Sequence, residues 1–327
     1  MKIAFYDTKD YDKIWFEKLL PEYGYEIVFL ESRLNEKTAV LAKGCKAVCL
    51  FVNDELNKET VQTLFNFGVS VVLMRCAGYD KIDLKACKDK LTVMRVPSYS
   101  PTAVAEYTLA MVLSINRKIH RAYARTRDYN FKISGLMGTT LKGKTAGIIG
   151  TGKIGKEAVR VLSGLGMKII GYDMYPDEKS GIEYVDLNRL FEESDVISLH
   201  CPLTEESKYI INKDSIGKMK DGVILVNTSR GGLIDTAALI EALEKHKFKG
   251  VALDVYEEEE EYFFEDKSNE IIKNDELIKL LSFPNVLVTS HQAFFTEESL
   301  QAIAEITLNN LRAYEKGEKP NNVVEYK

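Results

Sequence analysis

Eleven short apolar runs rich in β-branched residues punctuate this chain, with charged or amphipathic stretches of helical character between them. The first five are KIAFY (2–6), YEIVFL (25–30), KAVCLF (46–51), VSVVLM (69–74) and TVMRV (92–96). The next six are TAGII (145–149), KIIGY (168–172), DVISL (195–199), GVILVN (222–227), GVALD (250–254) and VLVTS, centred on 287–290. Strands alternating with helices specify parallel sheets covered by helices on both faces. A length of 327 residues predicts two such domains. Pro97 and Pro101 bracket the break between the sets, and a long helix is predicted from about Thr102 to Arg121. A last helix is predicted from about Thr296 to Tyr314. The six runs of the second set match the strand number of a dinucleotide-binding sheet. The acidic, aromatic stretch 256–283 is the longest connection, and long connections in compact domains are commonly functional.

Charge and cysteine content narrow the function classes. Lys and Arg total 44 against 49 Asp and Glu, a formal net charge of −5, so no basic face for nucleic acid or anionic lipid is expected. Hydrophobic residues make up 45%, the proportion of a globular protein rather than a disordered one. The five cysteines are scattered, with no CxxC pair, and read as reduced thiols. No metal site is expected. No apolar stretch approaches the ~18 residues of a membrane span, and the N-terminus opens directly into a strand-like run. These features predict a soluble, cytoplasmic protein.

The first motif that carries chemistry is Gly150-Thr151-Gly152-Lys153-Ile154-Gly155, a GxGxxG. Its context gives it weight, because it follows the strand TAGII and opens the helical stretch KEAVRVLSGLG. Glycines there permit a tight turn and close backbone approach, placing a pyrophosphate on the helix N-terminus. The next strand ends in Asp173, 18 residues after Gly155. A carboxylate at that point accepts from the ribose hydroxyls and repels a 2′-phosphate, which favours NAD over NADP.

In open α/β sheets, ligands lie beyond the carboxyl ends of the strands. The residues there are the glycine loop, Asp173, His200-Cys201-Pro202, Asn227-Thr228-Ser229-Arg230-Gly231, Asp254 with Glu257 to Glu261 beyond, and Ser290-His291. Hydride transfer to a 2-oxo acid needs a cation for the carboxylate and ketone, and an acid for the developing alkoxide. Arg230 suits the first role through its planar, permanently charged fork. His291 suits the second because imidazole titrates near neutrality. A carboxylate beside it would favour the imidazolium and fix its tautomer. The glutamate run offers that partner, but the residues alone do not select which one. His200 reads as structural, and His120 and His246 as surface residues.

The motifs together resemble the D-2-hydroxyacid dehydrogenases, most of all their D-lactate dehydrogenase branch. They are RCAGYDKIDL (75–84), VPSYSPTAVAEYTL (96–109), GIIGTGKIG (147–155), LHCPLT (199–204), VNTSRGGLID (226–235), ALDVYEEEE (252–260) and LVTSHQAFF (287–295). The stretches FFEDKSNEII and LLSFPNVLVTSHQAFF point to the lactate branch, and the resemblance spans nearly the whole chain.

The resemblance implies Arg230 as the group that binds and polarises the 2-oxo acid, His291 as proton donor and Glu259 as its carboxylate partner. The other four glutamates are then expected to be solvated surface. It implies NAD contacts at Gly150, Gly152, Lys153, Ile154, Gly155, Asp173, Cys201, Pro202, Ser207, Thr228, Ser229, Arg230 and Asp254. Lysine at 153 is a mild departure from the family's usual histidine or arginine. Backbone amides at Ala77 and Gly78 would receive the substrate carboxylate, with Tyr99 and Phe294 in the same pocket.

The implied architecture is α/β, with two doubly wound parallel-sheet domains. A flavodoxin-like substrate domain would comprise 1–100 plus 298–327, and a Rossmann NAD-binding domain 101–297. The helix at 102–121 and the C-terminal helix would form the hinge. A homodimer or higher homo-oligomer through the NAD domains is implied as well. The expected activity is NAD-dependent reduction of pyruvate to D-lactate. The alternatives are a dehydrogenase for bulkier 2-oxo acids such as 2-oxoisocaproate, or an NAD-sensing interaction protein on the same fold.

Overall fold

The computed structural model describes residues 1–318 and 322–326. The chain divides into two compact units, Met1–Ser100 with Phe295–Lys327, and Pro101–Phe294.

The first unit holds five parallel strands: β1 (Lys2–Phe5), β2 (Glu26–Phe29), β3 (Ala47–Leu50), β4 (Val71–Met74) and β5 (Thr92–Arg95). Their order is β2-β1-β3-β4-β5, the flavodoxin-like arrangement. The central strands are buried on both faces, which is why their sequences read as continuous apolar runs. Side chains alternate between two cores, because successive residues of a strand point to opposite faces. Val48 and Leu50 join Val72 and Met74 on one side. Ala47 and Cys49 join Val71 and Leu73 on the other. The C-terminal helix Glu297–Glu315 seals that second face with Ala304, Leu308 and Leu311. It begins on Thr296, whose hydroxyl accepts from Ser299 N at 3.2 Å, a side-chain cap on an otherwise orphaned amide.

The second unit holds seven parallel strands: β6 (Thr145–Ile149), β7 (Lys168–Tyr172), β8 (Glu183–Tyr184), β9 (Val196–Leu199), β10 (Val223–Asn227), β11 (Phe248–Leu253) and β12 (Val286–Val288). Their order is β12-β11-β10-β9-β6-β7-β8, so the winding reverses between β6 and β9. That reversal is the switch point at which doubly wound sheets bind nucleotides. The six expected runs are all strands. The seventh, β8, is a two-residue edge with no apolar run to announce it.

One helical expectation needs correction. The helix predicted for 102–121 is two helices, Pro101–Arg117 and Ile119–Arg127, separated by Lys118 in the left-handed region (φ 54°). The first packs Met111, Val112 and Ile115 under the sheet, whereas the second buries no residue. The long connection after β11 is not irregular throughout. It contains a 3-10 turn at Glu259–Glu261 and a helix at Asp275–Ser282 capped by Asn274. No helix among the described residues is long and apolar enough to cross a membrane.

Candidate active site

The strand register of the second unit aligns the ends of six strands. Tyr172 pairs with Ile149, Ile149 with Leu199, Leu199 with Asn227, Asn227 with Leu253, and Leu253 with Val288. The next residues along this row are Asp173, Gly150, His200, Thr228, Asp254 and Thr289. One edge of the sheet therefore gathers every motif of this unit that carries chemistry.

Gly150 and Gly155 shape the loop at the switch point. Gly150 has φ 90°, and a Cβ on it would fall 2.5 Å from Cys201 N. A Cβ on Gly155 would fall 2.0 Å from Gly150 O. Neither position admits a side chain, so the β6 loop lies directly against the end of β9 and against its own helix. At Gly152 nothing lies within 4 Å of the equivalent point, leaving open space at the N-cap of helix Lys153–Gly164. Beside the loop, Asp173 Oδ2 accepts from Thr151 N at 2.6 Å and Thr151 Oγ1 at 3.1 Å, and Oδ1 accepts from Tyr175 N at 2.9 Å. A carboxylate accepts about four bonds, so one place on Oδ1 remains for a further donor.

The loop after β9 carries His200 and Cys201. His200 is half-buried, its Nε2 is 2.9 Å from Ser198 Oγ, and burial pulls its titration down to about 4. Its ring therefore stays neutral near neutral pH. Burial pushes the Cys201 thiol up to about 11, so it offers no thiolate near neutral pH. Ser207 spends its hydroxyl inside this loop, donating to Pro202 O at 2.7 Å and accepting from Thr204 N at 2.8 Å. His120 is half-buried rather than a surface residue, and burial lowers its titration.

After β10, Asn227 organises the next turn. Its Nδ2 donates to Arg230 O at 2.8 Å and its Oδ1 accepts from Ser229 N at 3.0 Å. Ser229 Oγ reaches Cys201 O at 2.6 Å, and Thr228 meets Thr108 through their hydroxyls at 2.9 Å. Arg230 is half-buried, with Nη1 donating to Ser229 O at 2.8 Å. Gly231 passes so close to Tyr256 that a Cβ would lie 2.1 Å from Tyr256 C. That contact brings the β10 turn against the start of the glutamate run.

His291 Nδ1 lies 2.7 Å from Glu259 Oε1, with both side chains largely buried. The other oxygen, Glu259 Oε2, accepts from Tyr256 N at 2.9 Å, which fixes the carboxylate from behind. His291 holds a left-handed backbone (φ 53°), an uncommon conformation for a residue other than glycine. Asp254 maintains it. Its backbone oxygen accepts from His291 N at 2.7 Å, and its carboxylate accepts from Thr289 Oγ1, Gln292 N and Ala293 N at 2.6, 3.0 and 2.8 Å. Asp254 is fully buried, and burial raises its carboxyl above the usual range despite those donors.

In the rest of the glutamate run one residue departs from expectation. Glu257 is half-buried and accepts from the hydroxyls of Tyr209 and Thr236. Glu258 accepts from Asn274 Nδ2 at 2.6 Å. Glu257 is therefore an anchor of the connection rather than solvated surface, because hydroxyls from two other segments converge on it, whereas Glu258, Glu260 and Glu261 are exposed as expected.

Residues 109–293 match the family model described as D-isomer specific 2-hydroxyacid dehydrogenase, NAD binding domain. Over 99% of its length the chain is 50% identical to the D-lactate dehydrogenase of Escherichia coli K12, all of which is covered. The apo structure of D-lactate dehydrogenase from Escherichia coli superposes with a TM-score of 0.91 at 48% identity, covering 99% of this chain and 100% of that one. The structure of the pyruvate reductase of Chlamydomonas reinhardtii superposes with a TM-score of 0.93 at 40% identity, covering 98% of each.

The chain belongs to the D-2-hydroxyacid dehydrogenase family.

Membership makes this D-2-hydroxyacid dehydrogenase an NAD-dependent oxidoreductase, and the edge described above fits the cofactor. The open space at Gly152 lies over the free amides of a helix N-terminus, which suit a pyrophosphate. The remaining acceptor place on Asp173 suits a ribose hydroxyl. An acidic group there and no arginine in 174–180 disfavour a 2′-phosphate.

In the first unit, Ala77, Gly78 and Tyr99 follow the carboxyl ends of β4 and β5. Phe294 ends the second unit, three residues after His291, and is buried. The sequence reading assigned no role to Asn227, Thr151, Thr289 and Gln292. Asn227 carries the one available signal, an Asx residue at a strand end before a Ser-Arg-Gly turn.

Proposed function

We propose that this chain is an NAD-dependent D-lactate dehydrogenase that reduces pyruvate, with Arg230, Glu259 and His291 as its catalytic residues. The observation that carries the reading is the His291–Glu259 pair held at the carboxyl edge of an NAD-binding sheet. Full-length identity of 50% to a D-lactate dehydrogenase supports the choice of substrate.

Bound NADH supplies the hydride for the carbonyl carbon. Arg230 meets the substrate carboxylate and draws electron density toward the carbonyl oxygen, as a guanidinium fork does best. With Nδ1 engaged by Glu259, His291 presents Nε2 and gives its proton to the oxygen that becomes the hydroxyl. Glu259 stabilises the imidazolium before the transfer and orients the ring throughout. Asp254 acts through the loop 289–293, keeping His291 in its left-handed conformation. The balance is pyruvate, NADH and one proton giving D-lactate and NAD.

Residues 1–100 with 298–327 form the substrate domain in this reading, and 101–297 the NAD domain. The amides of Ala77 and Gly78 take the carboxylate, and Tyr99 and Phe294 limit the size of the side chain. Gly150, Gly152, Lys153, Ile154 and Gly155 cradle the pyrophosphate, and Cys201, Pro202, Ser207, Thr228 and Ser229 line the rest of the cofactor site. The enzyme works in the cytoplasm as a homodimer. The segment after Ile119 supports an association of copies, since Tyr129, Phe131, Ile133 and Met137 are each 71–85% exposed.

Steady-state assays with pyruvate, 2-oxoisocaproate and phenylpyruvate test the substrate. The highest kcat/KM is expected for pyruvate. A preference for either bulkier acid overturns that choice and leaves the family assignment intact.

A further inference from the structure

A peptide unit joins the carbonyl of one residue to the amide of the next, so Ala77 O and Gly78 N–H are two ends of one dipole. Arg95 holds the carbonyl end. Its Nη1 donates to Ala77 O at 2.7 Å. The same guanidinium lies over the ring of Tyr79, 5.0 Å from its centroid. The charged group thus grips the segment 77–79 twice, by a charge-assisted hydrogen bond and by a cation–π contact.

The main chain of Arg95 is held independently of that side chain. It ends β5, paired with Met74 of β4, the strand that leads into the segment. Its backbone N donates to Asn322 O at 3.0 Å, and its backbone O accepts from Asn310 Nδ2 at 3.0 Å. The strand end is therefore anchored through the main chain, and the half-buried guanidinium is given over to the neighbouring segment.

The root of the segment is secured differently. Arg75 is fully buried between the rings of Phe5 and Phe51, and its Nη2 donates to Asp7 O at 2.6 Å and to Asp12 Oδ2 at 3.2 Å. Arg75 belongs to the core and Arg95 to the exposed end. Of the two, Arg95 acts on the Ala77–Gly78 peptide itself. A cation on a carbonyl oxygen strengthens the N–H at the other end of the peptide as a donor. It also holds the peptide plane in place before substrate arrives, so less order has to be imposed on binding.

We propose that Arg95 is a positioning residue for the 2-oxo acid. Without touching the substrate, its guanidinium orients and polarises the Ala77–Gly78 peptide so that Gly78 N–H meets the substrate carboxylate. The inference rests on the reading that pyruvate is the substrate and that these amides receive it.

The test compares wild type with Arg95→Ala, Arg95→Gln and Arg95→Lys in pyruvate reduction, with NADH affinity followed by fluorescence. Arg95→Ala raises the pyruvate KM about tenfold. Its kcat at saturating pyruvate stays within about threefold, and its NADH Kd stays within about twofold of wild type. Arg95→Lys, which keeps a charged donor, recovers most of the KM. Arg95→Gln, which keeps a neutral donor and is the gentler change if alanine lowers the melting temperature, lies between. Millimolar guanidinium added to Arg95→Ala lowers the KM again. An unchanged KM in Arg95→Ala and Arg95→Gln overturns the proposal. So does a parallel loss of kcat and NADH affinity, which marks a general structural role. A wild-type protein that oxidises NADH with another 2-oxo acid but not pyruvate overturns the substrate reading instead, and the same variants assayed with that acid then decide on Arg95.

Discussion

His291 Nδ1 and Glu259 Oε1 are 2.7 Å apart, the carboxylate is braced on its other oxygen by a main-chain amide, and the histidine is held through its own backbone. Tyr256 N holds the second oxygen of Glu259, and Asp254 O holds His291 N. The pair is rigid in its ground state, which is what a proton donor needs if reorganisation is not to add to the barrier.

Glu259→Gln removes the negative charge that favours the imidazolium and leaves the shape. Pyruvate reduction needs the protonated ring, so the alkaline limb of its pH profile moves to lower pH. Oxidation of D-lactate needs the neutral ring, so its acid limb moves the same way and activity extends downward. The check is kcat/KM against pH in both directions, and an unmoved pair of profiles contradicts the role of Glu259.

Asp173 has one acceptor place left on Oδ1 after its bonds to Thr151 and Tyr175. Asp173→Ala removes both that acceptor and the charge that repels a phosphate. The NADH Kd rises about tenfold, the effect of losing a charged hydrogen bond. The ratio of NADPH to NADH efficiency rises as well. Fluorescence titration and parallel kinetics with the two cofactors measure both effects, and an unchanged ratio removes Asp173 from cofactor choice.

Much of this arrangement is legible in the residues, and the limits have physical causes. Strands packed between helical layers carry unbroken apolar runs, so β1 to β7 and β9 to β12 are visible. β8 has only Glu183 and Tyr184 on a sheet edge, where no burial demands apolar residues. The break at Lys118 escapes notice because lysine has no local signal for a left-handed backbone. The glycine loop is readable because a tight approach to β9 excludes any Cβ. Five identical glutamates in a row carry no chemical distinction among themselves. Their separate fates at Glu257, Glu258 and Glu259 depend on Tyr209, Asn274 and His291, which only the fold brings to them.

His200 supplies a pH-dependent contribution to stability. Burial lowers its titration from 6.5 to about 4, so the folded state favours the neutral ring. Its contribution is complete above pH 6.5 and is lost as pH falls toward 4, because the unfolded chain takes up the proton first. The loss approaches about 3 kcal/mol, since each tenfold change in proton affinity is worth about 1.4 kcal/mol. Urea unfolding between about pH 4 and 7 reads the slope. His200→Asn starts from lower stability but shows a flatter dependence over that window. An equal slope in the variant assigns the acid sensitivity elsewhere.

The proposed homodimer can be tested at the exposed aromatic side chains of Tyr129 and Phe131. Introducing charge with Tyr129→Glu and Phe131→Glu together shifts the sedimentation mass from dimer to monomer. The paired change leaves NADH binding in place, since neither residue lies on the cofactor edge. A dimer that persists in the double variant places the interface on another surface.

The most direct test of the account is pyruvate-dependent NADH oxidation by the wild-type protein and His291→Ala, with chiral analysis of the product. Wild type is predicted to form D-lactate, one molecule for each NADH consumed. His291→Ala is predicted to bind NADH normally and to turn over about 10²–10⁴-fold more slowly, the usual cost of losing a general acid. L-lactate as product, no oxidation with pyruvate, or a His291→Ala variant as fast as wild type would contradict it.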